Sequence, residues 1–245
     1  MIIALALAAV LPATLPLARY DAVIPALDAW PFTASASTTY SLAEDAALFD
    51  APGGSAVATL PAKDFLGDPT VVVGVDRVGD WVRVLTPARQ RLPSAGGAAA
   101  QTSAWLPRSE LERPRPVTAT VVISVSEQTL TILSGGAGLS NGTETKTFAV
   151  GVGTADAPTP TGVTGYLQAR YFDAAQQQAS HPVQLTSLHS TAADEPFGGS
   201  DGGLIGLHYE KDATGAVSHG CVRLGAAAVT AVNALPLGTL VTITP

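Results

Sequence analysis

One short stretch, residues 218–224, combines the residue types that acyl transfer by a thiol requires. It contains Cys221, the only cysteine of the 245-residue chain, which follows Gly220 directly and His219 by two positions. A thiol attacks carbonyl groups as the thiolate, so a nucleophilic cysteine needs a base or a positive field close by. The glycine has no Cβ, which lets backbone N–H groups approach the oxyanion of a tetrahedral intermediate. The residues are compatible with a catalytic Cys221, but for a lone cysteine a buried structural role is the commoner alternative.

Four histidines could act as the base that activates this thiol, namely His181, His189, His208 and His219. Adjacency favours His219, because side chains two residues apart share a face on an extended segment. His208 lies thirteen positions before the cysteine, directly after the apolar run at residues 204–207. The residues alone leave the choice of base open.

The pattern of His208 followed by Ser218-His219-Gly220-Cys221-Val222-Arg223 resembles the signature of L,D-transpeptidases with a YkuD-type catalytic domain. Members of that family remodel bacterial peptidoglycan through a cysteine acyl-enzyme. The resemblance extends to residues 121–133, which are similar to the domain's first hairpin, and to residues 148–153 with the Thr-Pro-Thr-Gly segment at 159–162. It covers roughly residues 115–245 and implies an enzyme that acts on peptidoglycan stem peptides without a cofactor or metal.

The resemblance also implies catalytic roles. Cys221 becomes the nucleophile and His208 the base, with the other ring nitrogen of His208 held by the backbone carbonyl of Tyr209. His219 then shapes the pocket instead of taking the proton.

The same resemblance assigns a substrate pocket. Arg223 is the expected anchor for a substrate carboxylate, which suits its bidentate guanidinium, and a structural salt bridge is the alternative. Backbone N–H groups around Gly220 and Cys221 are expected to form the oxyanion hole, and Ser218 and Tyr209 are expected at the substrate. Tyr209 stands where the family commonly has glycine, and the loop at residues 209–217 is shorter than the family pattern predicts.

Composition predicts an exported protein with no nucleic-acid partner. The net charge is −7 and only 13% of residues are charged, whereas nucleic-acid binding needs a basic footprint. Residues 1–18 are apolar but short and broken by two prolines, which predicts a secretory signal rather than a transmembrane helix. An extracytoplasmic location follows, with membrane contact only through this segment.

The remaining chain predicts a mainly β protein, expected as a monomer. After the signal-like segment and linker at residues 1–36, short alternating runs at 37–113 resemble a bacterial SH3-like barrel, a module that often binds cell wall. Trp81 and Trp105 would serve that binding or simply fill the core. Pro114 and Pro116 predict the end of any strand and a domain boundary.

Residues 114–245 should then form a self-contained β-sandwich catalytic domain with one or two short helices, one of them at 226–235. The long polar segment at 176–203 predicts a loop that could act as a lid.

Other functions are also open. Water in place of an amine acceptor would give carboxypeptidase, endopeptidase or amidase activity, and an inactive wall-binding protein is a further alternative. A peptidase of the NlpC/P60 kind needs a histidine after its cysteine, but none follows Cys221. A zinc hydrolase is disfavoured because no HxxH or HExxH spacing occurs.

Overall fold

The computed structural model describes residues 14–31, 38–135, 143–176, 178–193 and 203–245. Most of the predicted secretory segment, at residues 1–13, lies outside the described residues, as does part of the predicted linker at 32–37. In the described ranges, no helix combines the length and the apolar character needed to cross a membrane.

Strands dominate the described residues, which confirms the predicted mainly β class. The first eight strands are β1 (Asp28–Ala29), β2 (Thr38–Leu42), β3 (Ala46–Phe49), β4 (Ala56–Leu60), β5 (Val72–Val78), β6 (Trp81–Thr86), β7 (Thr102–Pro107) and β8 (Leu111–Pro116). The later elements are β9 (Ala119–Ser124), β10 (Thr129–Ser134), β11 (Thr143–Gly153), β12 (Val163–Asp173), β13 (Gln178–His189), β14 (Leu204–Tyr209), β15 (Gly215–Ser218), β16 (Val222–Leu224), helix α1 (Ala226–Asn233) and β17 (Leu240–Thr244).

The first sheet is antiparallel, with the order β4-β3-β7-β6-β5-β2-β8 and β1 added to β7. Its edge strand β8 contains both Pro114 and Pro116 and pairs with β2. The prediction that these prolines end the strand is therefore wrong. An edge strand tolerates proline because its outward N–H groups have no partner to lose.

The second sheet closes on itself. Its order is β10-β9-β17-β12-β13-β14-β16-β11-β15, and an additional pairing of β10 with β11 completes the ring. The β9–β10 hairpin coincides with the first hairpin expected from the sequence. Helix α1 buries Ala228, Val229 and Val232, one apolar face at helical spacing, against the core of this sheet.

Part of the segment at residues 176–203 is a strand and not a loop. Residues 178–189 form β13, which pairs with β12 and β14, and its second half is continuously buried. The predicted lid is therefore wrong for these residues, because alternating threonine, leucine and serine side chains fit a strand that is covered on both faces. The remainder of the predicted loop, at 194–202, lies outside the described residues.

The two sheets share a packed interface. Val73 and Leu85 of the first sheet form one buried cluster with Tyr166 and Leu240 of the second. Ala100, which precedes β7, belongs to the core cluster of the second sheet. The polypeptide before residue 114 therefore contributes to the packing of the polypeptide that follows it.

Candidate active site

Two parallel strands position the residues of the motif. β14 pairs with β16 so that His208 lies opposite Arg223. Opposed residues of paired strands project from the same face, and Cys221 precedes Arg223 by two positions, which is the side-chain repeat of a strand. Gly206 precedes His208 by the same interval, and its N–H donates to Cys221 Sγ at 3.4 Å. The fold therefore brings the predicted nucleophile, base and anchor to one face.

The turn before Cys221 is fixed by hydrogen bonds within it. Gly220 has a φ of 106°, a conformation that side chains with a Cβ rarely adopt. Its N–H donates to Ser218 Oγ at 3.2 Å, and the Ser218 hydroxyl donates to the Cys221 carbonyl. The chain bends at Gly220 and is not extended there, but His219 and Cys221 still line the same cavity.

These bonds also change the expected roles of two residues. Ser218 is buried and uses its only proton inside the turn, so its observed role is to hold the loop rather than to offer a donor to a substrate. The Gly220 N–H is already engaged and is not a free oxyanion donor. Of the two N–H groups expected at the oxyanion, those of Gly220 and Cys221, the first is thus occupied within the turn.

Thr159 clamps this turn to the neighbouring loop. Its hydroxyl donates to the Gly220 carbonyl at 2.8 Å and accepts the Gly153 N–H at 2.8 Å, and the side chain is 2% exposed. The Thr-Pro-Thr-Gly segment stands out in the sequence as a family feature, but the sequence gives Thr159 no role. The segment's resemblance was the available signal, but a bond across 61 residues has no local signature.

His208 has one nitrogen held and one available. Its Nδ1 lies 3.4 Å from the Tyr209 carbonyl and 3.7 Å from Glu210 Oε1. Two acceptors at Nδ1 favour the tautomer with the proton there, which leaves Nε2 as the basic nitrogen. Burial lowers the pKa of His208, an effect that Arg223 reinforces and the Tyr209 carbonyl and Glu210 oppose. The imidazole is therefore neutral at pH 7 and able to accept a proton.

Cys221 is held in its protonated form. Burial raises the pKa of the thiol, and the Gly206 N–H and the Arg223 charge act in the opposite direction. The thiol also points toward the Leu204 carbonyl, at 3.8 Å from Sγ. The thiol and the imidazole that line this cavity are therefore both neutral, so a nucleophilic attack by the thiol would need a base to take its proton.

A cavity of about 360 Å³ surrounds the thiol. Of the predicted site residues, those that line it are Cys221, His208, His219, Arg223 and Ser218. Gly220 and Tyr209 do not line it. The Tyr209 ring instead stacks on His181 with centroids 4.3 Å apart, so Tyr209 contributes through its carbonyl.

Arg223 has no ion-pair partner within 4.0 Å in the described ranges. Its Nε is buried and makes no hydrogen bond. The structural salt bridge considered as an alternative is thus absent among the residues that the structure describes, and the guanidinium group is available to an anion in the cavity.

Tyr171 is a cavity residue that sequence reasoning missed. It lies on β12 and lines the cavity. The pKa of Tyr171 is raised, mainly by burial and then by the negative charges of Asp173 and of an ionised Cys221. Its ring meets Phe65 of the first half of the chain edge-on, with centroids 6.4 Å apart. Nothing in its sequence context distinguishes it from the other aromatic residues of the strands.

Comparison with known proteins identifies a family. The family model of the L,D-transpeptidase catalytic domain, YkuD, matches residues 118–243, just over half of the chain. No curated protein matches the chain.

Similar solved structures are more distant. An L,D-transpeptidase from Mycobacterium smegmatis is 14% identical with a TM-score of 0.38, over 72% of this chain and 91% of that one. L,D-transpeptidase 3 from Mycobacterium tuberculosis with a faropenem-derived adduct gives the same values. A fused Zn-dependent amidase/peptidase/peptidoglycan-binding domain-containing protein from Clostridium acetobutylicum ATCC 824 is 19% identical with a TM-score of 0.35 over 51% of each chain, so this chain spans about half its length. These scores carry no argument about function, and the family assignment rests on the sequence match.

Proposed function

The chain belongs to the family of YkuD-type L,D-transpeptidase catalytic domains, and from this we propose that it is a peptidoglycan L,D-transpeptidase acting through Cys221. The observation that carries the proposal is the pairing of a cysteine with a neutral histidine, its Nδ1 held by two acceptors, at one cavity. This is the arrangement of nucleophile, base and orienting group that acyl transfer requires.

The reaction proceeds in two halves. The Cys221 thiol attacks a carbonyl of the donor stem peptide while His208 Nε2 takes its proton, and the oxyanion is stabilised by backbone N–H groups of the turn. The protonated imidazole then gives this proton to the leaving amine, and a thioester remains on Cys221. An acceptor amine attacks the thioester, His208 removes a proton from it, and the thiolate leaves and is reprotonated.

Arg223 is proposed to bind a carboxylate of the donor. Its guanidinium group lines the cavity, has a buried Nε without a partner and shares a face with the reacting pair. A carboxylate would satisfy this donor, and the planar geometry of the guanidinium would fix the orientation of the peptide.

The first half of the chain is proposed to be an SH3-like domain that binds the cell wall, in an extracytoplasmic protein. The support is a sheet of short antiparallel strands that contains two tryptophans, Trp81 and Trp105, in different environments. Trp105 is 7% exposed under the Arg83 guanidinium, whereas Trp81 is half-buried and meets Phe49 edge-on at 5.0 Å. Trp105 thus serves the core, and Trp81 with Phe49 is the aromatic pair available to a wall ligand.

The test of the enzymatic proposal is acylation followed by product analysis. We expect a carbapenem to add its mass to the intact protein, and Cys221→Ala and Cys221→Ser to remove the adduct while leaving the fold intact. Incubation with tetrapeptide muropeptides should give crosslinked products by mass spectrometry. Hydrolysed products alone would mean that water resolves the acyl-enzyme. An adduct on Cys221→Ala would show that Cys221 is not the nucleophile.

A further inference from the structure

A second concave surface lies at the junction of the two sheets, away from Cys221. This junction groove has a volume of about 520 Å³ and runs between the edge strand β8, strand β2 and the turn at residues 236–239. None of its lining residues lines the cavity around the thiol. The function assigned to the motif therefore does not account for it.

The charge of the junction groove is opposite to that of the protein. Arg113 and Arg115 line it, and no aspartate or glutamate does, although the chain has 20 acidic and 13 basic residues. Neither arginine has a carboxylate within 4.0 Å among the residues that the structure describes. Two unpaired guanidinium groups in an acidic protein create a local positive field that favours an anionic ligand.

A β-bulge in β8 helps to direct the two arginine side chains into the groove. The pairing of β2 with β8 shifts between Thr39 and Ser41, where β8 holds one residue more than its partner. Arg113 lies in this bulge with a φ of 48°, the left-handed region that is uncommon for a residue with a side chain. Bulges re-aim side chains, and here both arginines face the groove.

The other residues that line the groove indicate which further chemical groups an anionic ligand would carry. Hydroxyl groups are supplied by Thr39, Ser41, Thr70, Thr118 and Thr239. Apolar surface is supplied by Val71, Val117 and Leu237. A ligand with amide and carboxylate groups and short aliphatic side chains uses all three kinds of surface, whereas a phosphate polymer leaves the apolar surface uncovered.

We propose that the junction groove is a second binding site for a carboxylate-bearing peptide, in which Arg113 and Arg115 each pair with one carboxylate. If the proposed function holds, this peptide is a peptidoglycan stem that binds at the groove without reacting with Cys221. Such a site adds affinity for the polymer to the reaction at Cys221, because two linked contacts bind more tightly than either alone.

The experiment measures binding of a soluble stem tetrapeptide to the full chain by titration calorimetry. Arg113→Gln with Arg115→Gln should weaken binding at one class of site roughly 10-fold, the loss of two exposed charge pairs. Arg91→Gln, which removes an exposed arginine outside the groove, is the matched control and should bind as the wild type does. Amidation of the peptide carboxylates should reproduce the loss.

Two results would overturn the proposal. One is equal affinity of the wild type and the double variant for the tetrapeptide. The other is arginine-dependent binding of a poly(glycerol phosphate) oligomer without arginine-dependent binding of the peptide. Carbapenem acylation of Cys221, measured on the same proteins, should be unchanged by both arginine substitutions. Failure of acylation in the wild type would contradict the enzymatic proposal alone, since binding at the junction groove needs no thiol.

Discussion

His189 should make the stability of the protein depend on pH in a way that one substitution removes. Its side chain is 1% exposed, and Nε2 donates to the Tyr20 carbonyl at 3.1 Å. Nδ1 is buried without a hydrogen-bond partner. Burial, reinforced by the nearby Arg89 charge and opposed by the Tyr20 carbonyl, lowers the pKa of His189 from 6.5 to about 3.

The sign and size of the effect follow from proton linkage. The folded state keeps His189 neutral, whereas the unfolded chain protonates it below pH 6.5. The unfolded state therefore binds more protons between these two pKa values, and the free energy of unfolding falls as the pH is lowered through 6.5. The slope is about 1.4 kcal/mol per pH unit, so the contribution lost by pH 5 is about 2 kcal/mol.

The assay is urea unfolding at pH 7.5 and pH 5 of the wild type and His189→Gln. Glutamine keeps an N–H donor for the Tyr20 carbonyl but does not titrate, and the carboxylates of both proteins titrate alike. The loss of unfolding free energy on acidification should therefore be about 2 kcal/mol smaller in the variant. His181→Gln, on the same strand, controls for removal of a histidine. Equal losses in the wild type and His189→Gln would refute the reasoning.

Two further substitutions test the geometry around the thiol. His208→Ala should lower the rate of Cys221 acylation by roughly 10²–10⁴-fold, the cost of losing a general base, and His219→Gln should cost less; an equal or larger loss at His219 would reverse the assignment. Thr159→Val removes the clamp on Gly220 and should lower the free energy of unfolding by about 1–3 kcal/mol and slow acylation, measured by urea unfolding and carbapenem labelling. Thr159→Ser keeps the hydroxyl group and is the control; similar defects in both variants would show that the hydrogen bonds do not matter.

Strand periodicity was sufficient to predict most of the sheets. Alternation of Trp81, Arg83 and Leu85 with valines predicts β6, and the turn at residues 79–80 predicts its hairpin with β5. The failures have a physical pattern. The two prolines predict the end of a strand, but β8 is an edge strand, and edge position is a property of the whole sheet. The polarity of residues 176–203 predicts a loop, but β13 satisfies its polar side chains inside the sheet.

Gln184 shows how β13 does so. Its side chain is fully buried, and its amide donates to Asn233 Oδ1 of helix α1 at 3.1 Å while its oxygen accepts from Arg170 Nε. Thr186 donates to the Ile205 carbonyl at 2.6 Å. Buried polar groups with such partners carry no penalty that would exclude them from a strand, but the partners are distant in sequence.

The motif was predictable at the candidate site, but its supports were not. The resemblance to the family assigns His208 to Cys221, and in the structure two parallel strands place His208 opposite Arg223, two residues after Cys221. The bend at Gly220, the bond from the Gly206 N–H to the thiol and the position of Tyr171 depend on backbone geometry and on neighbouring strands. Composition and residue spacing predict none of these three features.

The interface between the sheets leads to a last prediction, on the fragment that covers residues 115–245. The sequence predicts a self-contained catalytic unit, but in the structure this fragment makes buried polar contacts with the first half of the chain. Ser187 Oγ donates to Gln101 Oε1 at 2.7 Å, and the His189 N–H donates to the Ala100 carbonyl at 2.8 Å. Removing the partners leaves buried groups unsatisfied, at a cost of about 1–3 kcal/mol each.

We therefore expect the fragment to unfold at lower temperature than the full chain and to be acylated more slowly, because Ser190 and Tyr171 at the cavity adjoin the lost contacts. Gln101→Leu in the full chain removes the bond from Ser187 together with the two bonds that the Gln101 amide donates to the Thr86 and Thr102 carbonyls, while both sheets remain. It should lower stability with a smaller effect on acylation. Thermal unfolding and carbapenem labelling measure both quantities. A fragment that matched the full chain in unfolding temperature and labelling rate would show that the first half does not support the site. A folded, soluble fragment with slow labelling would instead mean that the first half helps to hold the walls of the cavity in place.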